Sequence, residues 1–292
     1  MSGAALPLRH FLLALIVVAI WGSNFVVIKL ALGELPPLLF ATLRFCLAVL
    51  PALLFLRRPS VPWRNLASYG VLVGVGQFGL LYLAMRTQIS PGLASLVVQT
   101  QVFFTILLAM RLTHERLRGH QWTGLLMAAA GLAVIAWHTD ASTTVLGLLM
   151  VLCAALSWAV ANMVGKQAGR VNMLAYMVWS SMFAVPPLLF LSLWFEGPEL
   201  IAHSLRAMSA QTWAAVLWQS WGNTLFGFGL WAWLLARHAA ATIVPMALLV
   251  PVFGMSSAAW LLGEAMPAWK LSAAALVLSG LAINLLWPQQ RG

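Results

Sequence analysis

Residues 11–32 read FLLALIVVAIWGSNFVVIKLAL, and Lys29 is the only charged side chain among them. As an α-helix, a run of this length extends about 33 Å, enough to cross the hydrocarbon core of a bilayer, which is about 30 Å thick. Polar and apolar residues do not alternate along the run, so it lacks the two-residue period of a transmembrane β-strand. The stretch therefore predicts an all-α integral membrane protein.

The composition of the whole chain agrees with this prediction. Hydrophobic residues make up 62% and charged residues 8% of the sequence, and the mean hydropathy is +0.93. A soluble domain carries about a quarter charged residues. The net charge of +10 does not indicate a nucleic-acid partner, because the basic residues stand singly between apolar runs. Cys46 and Cys153 lie inside apolar runs and predict packing residues, with no metal site and no disulfide framework.

Ten apolar runs predict ten transmembrane helices. They lie at 11–32, 36–56, 67–86, 91–111, 121–137, 144–165, 173–194, 213–236, 240–262 and 269–287. The first run has no small-residue cleavage site, so it predicts a retained helix and not a signal peptide. The longest connections, 57–66 and 195–212, leave no room for a soluble domain with its own core.

Basic residues in the connections predict the orientation in the membrane. Eleven fall on one side, against four on the other, and Arg44 is left out because it lies inside a run. The side with eleven is predicted to be cytoplasmic, which places both termini there. Five of the six acidic residues fall on the opposite side, namely Glu34, Asp140, Glu196, Glu199 and Glu264.

The chain also contains an internal repeat. The matching pairs are Trp21 and Lys29 with Trp158 and Lys166, Asn24 with Asn162, and Glu115 and Gly131 with Glu264 and Gly280. These pairs predict two repeats, 11–137 and 144–287. Each repeat holds five helices, and because five is odd the two must have opposite orientations. Inverted repeats with a site between them are an architecture of secondary transporters.

These residues also carry a resemblance to a known family. The matching stretches are Trp21-Gly22-Ser23-Asn24-Phe25, Leu43-Arg44-Phe45, Glu115 with Gly124 and Gly131, Pro251-Val252-Phe253, Glu264 and Gly280. Over about 11–287 the chain resembles the EamA-type members of the drug/metabolite transporter superfamily. Within that family it is most similar to bacterial inner-membrane amino-acid exporters, including those for aromatic amino acids. The resemblance implies a ten-helix carrier of small metabolites in the bacterial inner membrane, which works as a monomer and without a cofactor.

Arg44 is the charged residue that lies deepest inside a predicted helix. A charge at the bilayer centre costs about 2.5–3.5 kcal/mol on insertion scales, so its position calls for an explanation. One interpretation is a fixed positive charge beside the transport pathway that attracts a carboxylate. The other is a structural anchor that extends outward or binds the carbonyl groups at a helix end. The sequence leaves both open.

Uncharged polar and aromatic residues inside the helices predict the rest of a substrate site. With Arg44, the candidate substrate-binding residues are Asn24, Gln77, Tyr82, Gln99, Trp158, Asn162, Tyr176, Trp179, Trp218, Gln219 and Asn223. Amide, indole and phenol groups suit an amphipathic zwitterion, by stacking on its side chain and hydrogen bonding to its amino and carboxyl groups. The alternative is ordinary hydrogen bonding between helices. Glu115 and Glu264 are predicted to cap helices or to pair with basic groups.

The predicted helices lack the residue combinations that an enzyme active site requires. No His, Asp or Glu lies in the middle of a predicted helix, and no glycine-rich loop precedes a lysine, so metal sites, catalytic triads and ATP hydrolysis are not predicted. The same absence favours facilitated diffusion, exchange or coupling through a residue at a helix end. The first functional hypothesis is an alternating-access exporter of amino acids. A multidrug or other metabolite exporter and a non-transporting sensor or assembly protein are the alternatives.

Overall fold

The computed structural model describes residues 6–113, 119–139, 142–238 and 240–286. These residues form helices, with no strand in the described ranges. We number ten helices and leave the short helix Pro198–Ala207 unnumbered. They are α1 (Leu8–Ala31), α2 (Pro37–Ala52), α3 (Trp63–Thr87), α4 (91–113), α5 (Gly119–Trp137), α6 (Val145–Gln167), α7 (Met173–Phe195), α8 (210–237), α9 (240–262) and α10 (Ala268–Leu286).

Seven of the described helices are long and apolar enough to cross a membrane. Of the other three predicted crossings, α2 has 16 residues. The helix α5 begins with the polar sequence Gly-His-Gln, and α8 carries amide and hydroxyl groups along its length. The all-helical membrane fold is therefore confirmed, while the count of ten crossings stays a prediction.

Local sequence signals set the helix ends. Proline occupies the first position of α2, α4 and the short helix, where its missing N–H group costs nothing. Side chains of Thr144, Asn172 and Ser209 accept a hydrogen bond from a backbone N–H group in the first turn of α6, α7 and α8. The helix α9 ends at Gly263, whose φ of +66° is strained for any residue with a Cβ atom.

Small residues allow the closest helix contacts. At the crossing of α5 and α10, a Cβ atom on Gly280 would lie 2.5 Å from the carbonyl oxygen of Gly124. At the crossing of α1 and α9, a Cβ atom on Gly22 would lie 2.5 Å from the carbonyl oxygen of Val250. Close packing of this kind drives helix association in lipid, where burial of apolar groups adds little.

Two helices contain π-helical segments, Leu72–Gly79 in α3 and Trp218–Gly227 in α8. Leu72 is the tenth residue of its helix and Trp218 the ninth. Such segments are rare inside helices and are found at functional sites. Both bring polar residues into the interior of the bundle.

Charged side chains bind helix ends at one end of the bundle, which we call the glutamate end after Glu34, Glu196 and Glu264. Glu196 accepts hydrogen bonds from the N–H groups of Leu38 (2.6 Å) and Leu39 (2.9 Å) at the start of α2. Glu34 accepts one from the N–H group of Ser209 before α8 (2.8 Å). That hydrogen bond lowers the pKa of the Glu34 carboxyl group, because it favours the charged form.

Glu264 binds the start of α4, where it accepts hydrogen bonds from the Ser90 hydroxyl and from the N–H group of Gly92 (2.9 Å). It also forms an ion pair with Lys270 at 3.0 Å. The prediction that Glu264 caps a helix and pairs with a basic group is confirmed. Glu115, of which the same was predicted, lies outside the described residues.

The contact between α3 and α7 is a sensitive test of the packing. A Cβ atom on Gly70 would overlap the carbonyl oxygen of Ser180, while one on Gly79 of the same helix would meet its nearest atoms at an ordinary 3.6 Å. We expect Gly70→Ala to destabilise the protein by about 1–3 kcal/mol through overpacking. Gly79→Ala is the matched control and should leave the melting temperature in detergent unchanged or raise it slightly. Equal melting temperatures for the two variants would contradict this packing.

The cap on α2 predicts a difference between two neighbouring glutamates. Glu196→Gln removes the charge and one of the two oxygens that accept backbone hydrogen bonds, so we expect a loss of about 1–3 kcal/mol. Glu199 is exposed on the short helix and is the matched control. Thermal melting in detergent measures both. A Glu196→Gln variant as stable as Glu199→Gln would show that the cap contributes nothing.

Candidate functional site

The interior of the bundle contains a guanidinium group, that of Arg44 on α2, which is only 1% exposed. Its Nη1 atom donates to the hydroxyl of Tyr82 on α3 (2.8 Å), and its Nη2 atom donates to the hydroxyl of Thr224 on α8 (3.2 Å). The ring of Phe78 lies beneath it, with Cζ 3.6 Å from the ring centroid. Arg44 thus joins three helices and does not extend toward the membrane surface.

An amide pair continues this network toward α1. Gln219 on α8 donates from Nε2 to Oδ1 of Asn24 (2.8 Å), and Nδ2 of Asn24 donates back to Oε1 of Gln219 (3.3 Å). The Tyr82 hydroxyl donates to the same Oε1 atom at 3.3 Å. All of these side chains are buried. Asn24, Gln219, Tyr82, Arg44 and Thr224 therefore form one connected set, which we call the central network.

The central network and the neighbouring Asn223 form fewer hydrogen bonds than their atoms allow. The Nε atom of Arg44 and the Oδ1 atom of Asn223 are buried, and neither has a hydrogen-bond partner within the described residues. Among those residues the one ion pair is that of Lys270 with Glu264, so no described carboxylate neutralises Arg44. Buried polar atoms without partners are rare in native proteins and mark sites where a partner is missing. Arg44 is thus a candidate partner for an anion.

The π-helical segments position most of these groups. Gln77 and Phe78 lie in the segment of α3, with Tyr82 just beyond it, and Gln219, Asn223 and Thr224 lie in the segment of α8. Within α8 the Thr224 hydroxyl donates to the carbonyl oxygen of Gln219, five residues earlier (2.8 Å). An α-helical turn would place residue 223 above Gln219. The wider π-helical turn places Thr224 close to Gln219 as well.

A second polar cluster joins α4 and α6. Asn162 donates to the side-chain oxygen of Gln101 (3.0 Å), which also accepts a hydrogen bond from Thr105 (3.4 Å). Trp158, one turn before Asn162, is partly buried against the core. These side chains are more exposed than the central network. Asn162 therefore belongs to a second cluster, separate from the central network.

Other predicted site residues bind backbone or end groups instead. Gln99 donates to the carbonyl oxygen of Ala247 on α9 (3.1 Å). Tyr176 donates to Asn65 at the start of α3 (2.7 Å), and Trp179 donates to the carbonyl oxygen of Leu56 after α2 (3.0 Å). Tyr176 and Trp179 therefore lie at the end opposite the glutamate end. Trp218 is 40% exposed and lies outside the central network. Gln77 is buried and forms no hydrogen bond with the network.

Four residues in or beside these clusters were not predicted as site residues, namely Thr224, Phe78, Gln101 and its partner Thr105. Thr224 was missed because α-helical spacing from Gln219 points to residue 223. Phe78 was missed because a single phenylalanine in an apolar run carries no signal of its role beneath a guanidinium. Gln101 stands out as a polar residue in the middle of a helix, and its partner on α6 could not be read from the spacing.

A separate groove of about 490 Å³ lies between α4, α5 and α6. Its lining is mostly apolar and includes Phe104, Leu107, Trp122 and Leu156, with Arg111 as its charged member. No residue predicted for the site lines this groove. The polar groups described above therefore define the candidate site.

Comparison with known proteins gives this site a family context. A protein of Salmonella typhimurium described as "Probable amino-acid metabolite efflux pump" is 40% identical over 279 residues, which cover 94% of this chain and 93% of that protein. The Escherichia coli (strain K12) protein of the same description is 38% identical over 94% and 93%. A solved structure described only as "Crystal structure of protein" superposes with a TM-score of 0.65 at 20% identity. It covers 95% of this chain and 96% of its own, a likeness that concerns the fold alone.

The family pattern described as "EamA-like transporter family" matches twice, over residues 8–137 and 145–286. Together the two matches account for nearly all of the chain. The resemblance inferred from the sequence is confirmed, and with it the interpretation of the chain as a multi-pass membrane transporter. This protein belongs to the EamA-like transporter family.

Proposed function

We propose that this protein exports amino acids and related small amphipathic metabolites across the bacterial inner membrane by alternating access, as a monomer. The observation that carries the proposal is the central network, a buried cation and amides held between helices of a transporter fold. The two relatives at 38–40% identity, both described as probable amino-acid metabolite efflux pumps, supply the substrate class.

The proposed architecture is ten crossings in two inverted repeats, 11–137 and 144–287. The two family matches cover almost the same ranges. Exchanging each helix of the first five with its counterpart in the second five also preserves the packing. In this exchange α1 corresponds to α6, α3 to α8, α4 to α9 and α5 to α10. The contact of α1 with α9 then matches that of α6 with α4, and the contact of α1 with α8 matches that of α6 with α3. The helices α5 and α10 are each other's counterparts and pack together. The π-helical segments of α3 and α8 follow the same exchange.

The proposed orientation has both termini in the cytoplasm and the glutamate end outside. The excess of basic residues on the other side supports it. At the glutamate end, Glu34, Glu196 and Glu264 each bind a helix start that belongs to the other repeat. Opening toward the outside therefore requires these contacts to separate.

Contacts between the repeats also close the opposite end. Asn65 of α3 accepts the hydrogen bond of Tyr176 and donates to the carbonyl oxygen of Val164 on α6 (2.9 Å). Trp179 of α7 donates to the chain after α2. Breaking one set of contacts while the other holds would expose the central network to one side at a time. This is how an inverted repeat supports alternating access.

Counterflow into proteoliposomes tests the proposal. Vesicles loaded with unlabelled amino acids are given a panel of labelled ones without a pH gradient, and we expect accumulation of at least one apolar or aromatic amino acid. Gln219→Leu should lower the initial rate about tenfold or more, because Asn24 and Tyr82 lose a buried partner. Gln211→Leu makes the same change at an exposed position of α8 and should transport like the wild type. A wild-type protein that transports no amino acid would refute the proposal.

A further inference from the structure

We propose that Arg44 and Asn223 form the binding site for the charged head group of a free amino acid. The Arg44 guanidinium takes the α-carboxylate, and the unpaired Oδ1 atom of Asn223 takes the ammonium group. This inference rests on the proposed function and narrows its substrate class. Amino acids with both groups free should be carried, in preference to their amides, N-acylated forms or decarboxylated amines.

The first argument concerns the charge of Arg44. A buried charge is stable only when it is paired and hydrogen bonded. The partners that Arg44 has are two neutral hydroxyl groups and the face of Phe78, and no described carboxylate pairs with it. A carboxylate would be the stronger partner, because guanidinium and carboxylate groups form parallel charge-assisted hydrogen bonds. The unpaired Nε atom is one of the donors available for it.

The second argument is that the present partners of Arg44 do not depend on it. The Tyr82 hydroxyl donates its proton to Gln219 Oε1, and the Thr224 hydroxyl donates its proton to the carbonyl oxygen of Gln219. Each hydroxyl keeps that bond if the guanidinium turns toward a ligand. Arg44 can therefore exchange two neutral acceptors for a carboxylate without leaving a buried hydroxyl unpaired.

The third argument concerns an unpaired acceptor on α8, the helix that supplies the Thr224 partner of Arg44. Asn223 precedes Thr224, a partner of Arg44, and follows Gln219 by four residues on α8. Its backbone oxygen accepts a hydrogen bond from the indole of Trp21 (3.4 Å), which anchors this turn against α1. The buried Oδ1 atom has no donor within the described residues. An ammonium group carries only donors and is the complement of such an atom.

The two unpaired atoms together select for a zwitterion. A cationic amine alone would meet the positive charge of Arg44, and an anion alone would leave Asn223 unsatisfied. The face of Phe78 lies against the Arg44 guanidinium, and the indole of Trp21 donates to the backbone oxygen of Asn223. In the proposed site, Arg44 of the central network and the neighbouring Asn223 together recognise the head group.

Competition in proteoliposomes tests the head-group site. We take a labelled amino acid that the wild type transports and measure how strongly three unlabelled compounds inhibit its uptake. They are the same amino acid, its α-carboxamide and its N-acetyl derivative. We expect each derivative to compete about tenfold or more weakly than the free amino acid. Arg44→Gln should remove the preference for acid over amide, and Asn223→Leu the preference for free over acetylated amine. Arg58→Gln changes an exposed arginine stacked on Trp63 (3.7 Å) and should preserve both preferences.

Equal competition by acid and amide in the wild type would overturn the inference even if both variants fail to fold. So would an Arg44→Gln protein that transports and still prefers the acid. If the wild type transports no amino acid, the proposed function fails separately. The melting temperature of the purified wild type then tests the head-group site. It should rise when L-phenylalanine is added and should not change with its amide or N-acetyl derivative. Equal shifts would overturn it.

Discussion

A positive charge buried among helices is the constraint on which the rest of the structure depends. Arg44 lies in the interior of a bundle built for lipid, where an unpaired charge is costly. The bundle lowers that cost with hydroxyl groups from α3 and α8 and with the face of an aromatic ring. It does not cancel the charge with a carboxylate of the described residues. A cation held in this way links three helices, and we propose that it is also the site for an anion.

The surrounding fold explains how such a site could face either side of a membrane. Two of the helices that contact Arg44, α3 and α8, carry the π-helical segments, which are rare inside helices and are found at functional sites. At the glutamate end and at the opposite end, polar side chains bind helix ends of the other proposed repeat. Each set of contacts is local and separate from the central network, so we propose that one set can break while the network stays intact.

Much of the fold follows from the sequence, because an apolar run of about twenty residues that crosses lipid can satisfy its backbone hydrogen bonds as a helix. Arg44, Asn24, Gln219 and Tyr82 could also be predicted as interior polar residues, since a polar group in such a run needs a partner. Which partner each one takes could not be predicted. The periodicity of a helix indicates which residues share a face, but not which residues of other helices they meet. The π-helical turn also places Thr224 on the same side of α8 as Gln219, which α-helical spacing does not predict. Trp179 and Tyr176 looked interior by position, but their hydrogen bonds hold them at the end of the bundle.

The central claim is that the protein leaves the charge of Arg44 without an anion of its own. The melting temperature of substrate-free Arg44→Met protein tests this most directly. Replacing a buried ion pair by apolar side chains of similar volume is neutral or stabilising by about 1–4 kcal/mol. Without an anionic partner, Arg44→Met likewise leaves no charge unpaired, and Tyr82 and Thr224 keep their bonds to Gln219. The account therefore predicts a melting temperature equal to or above that of the wild type. A loss of about 3–5 kcal/mol, as for a broken buried ion pair, would contradict it.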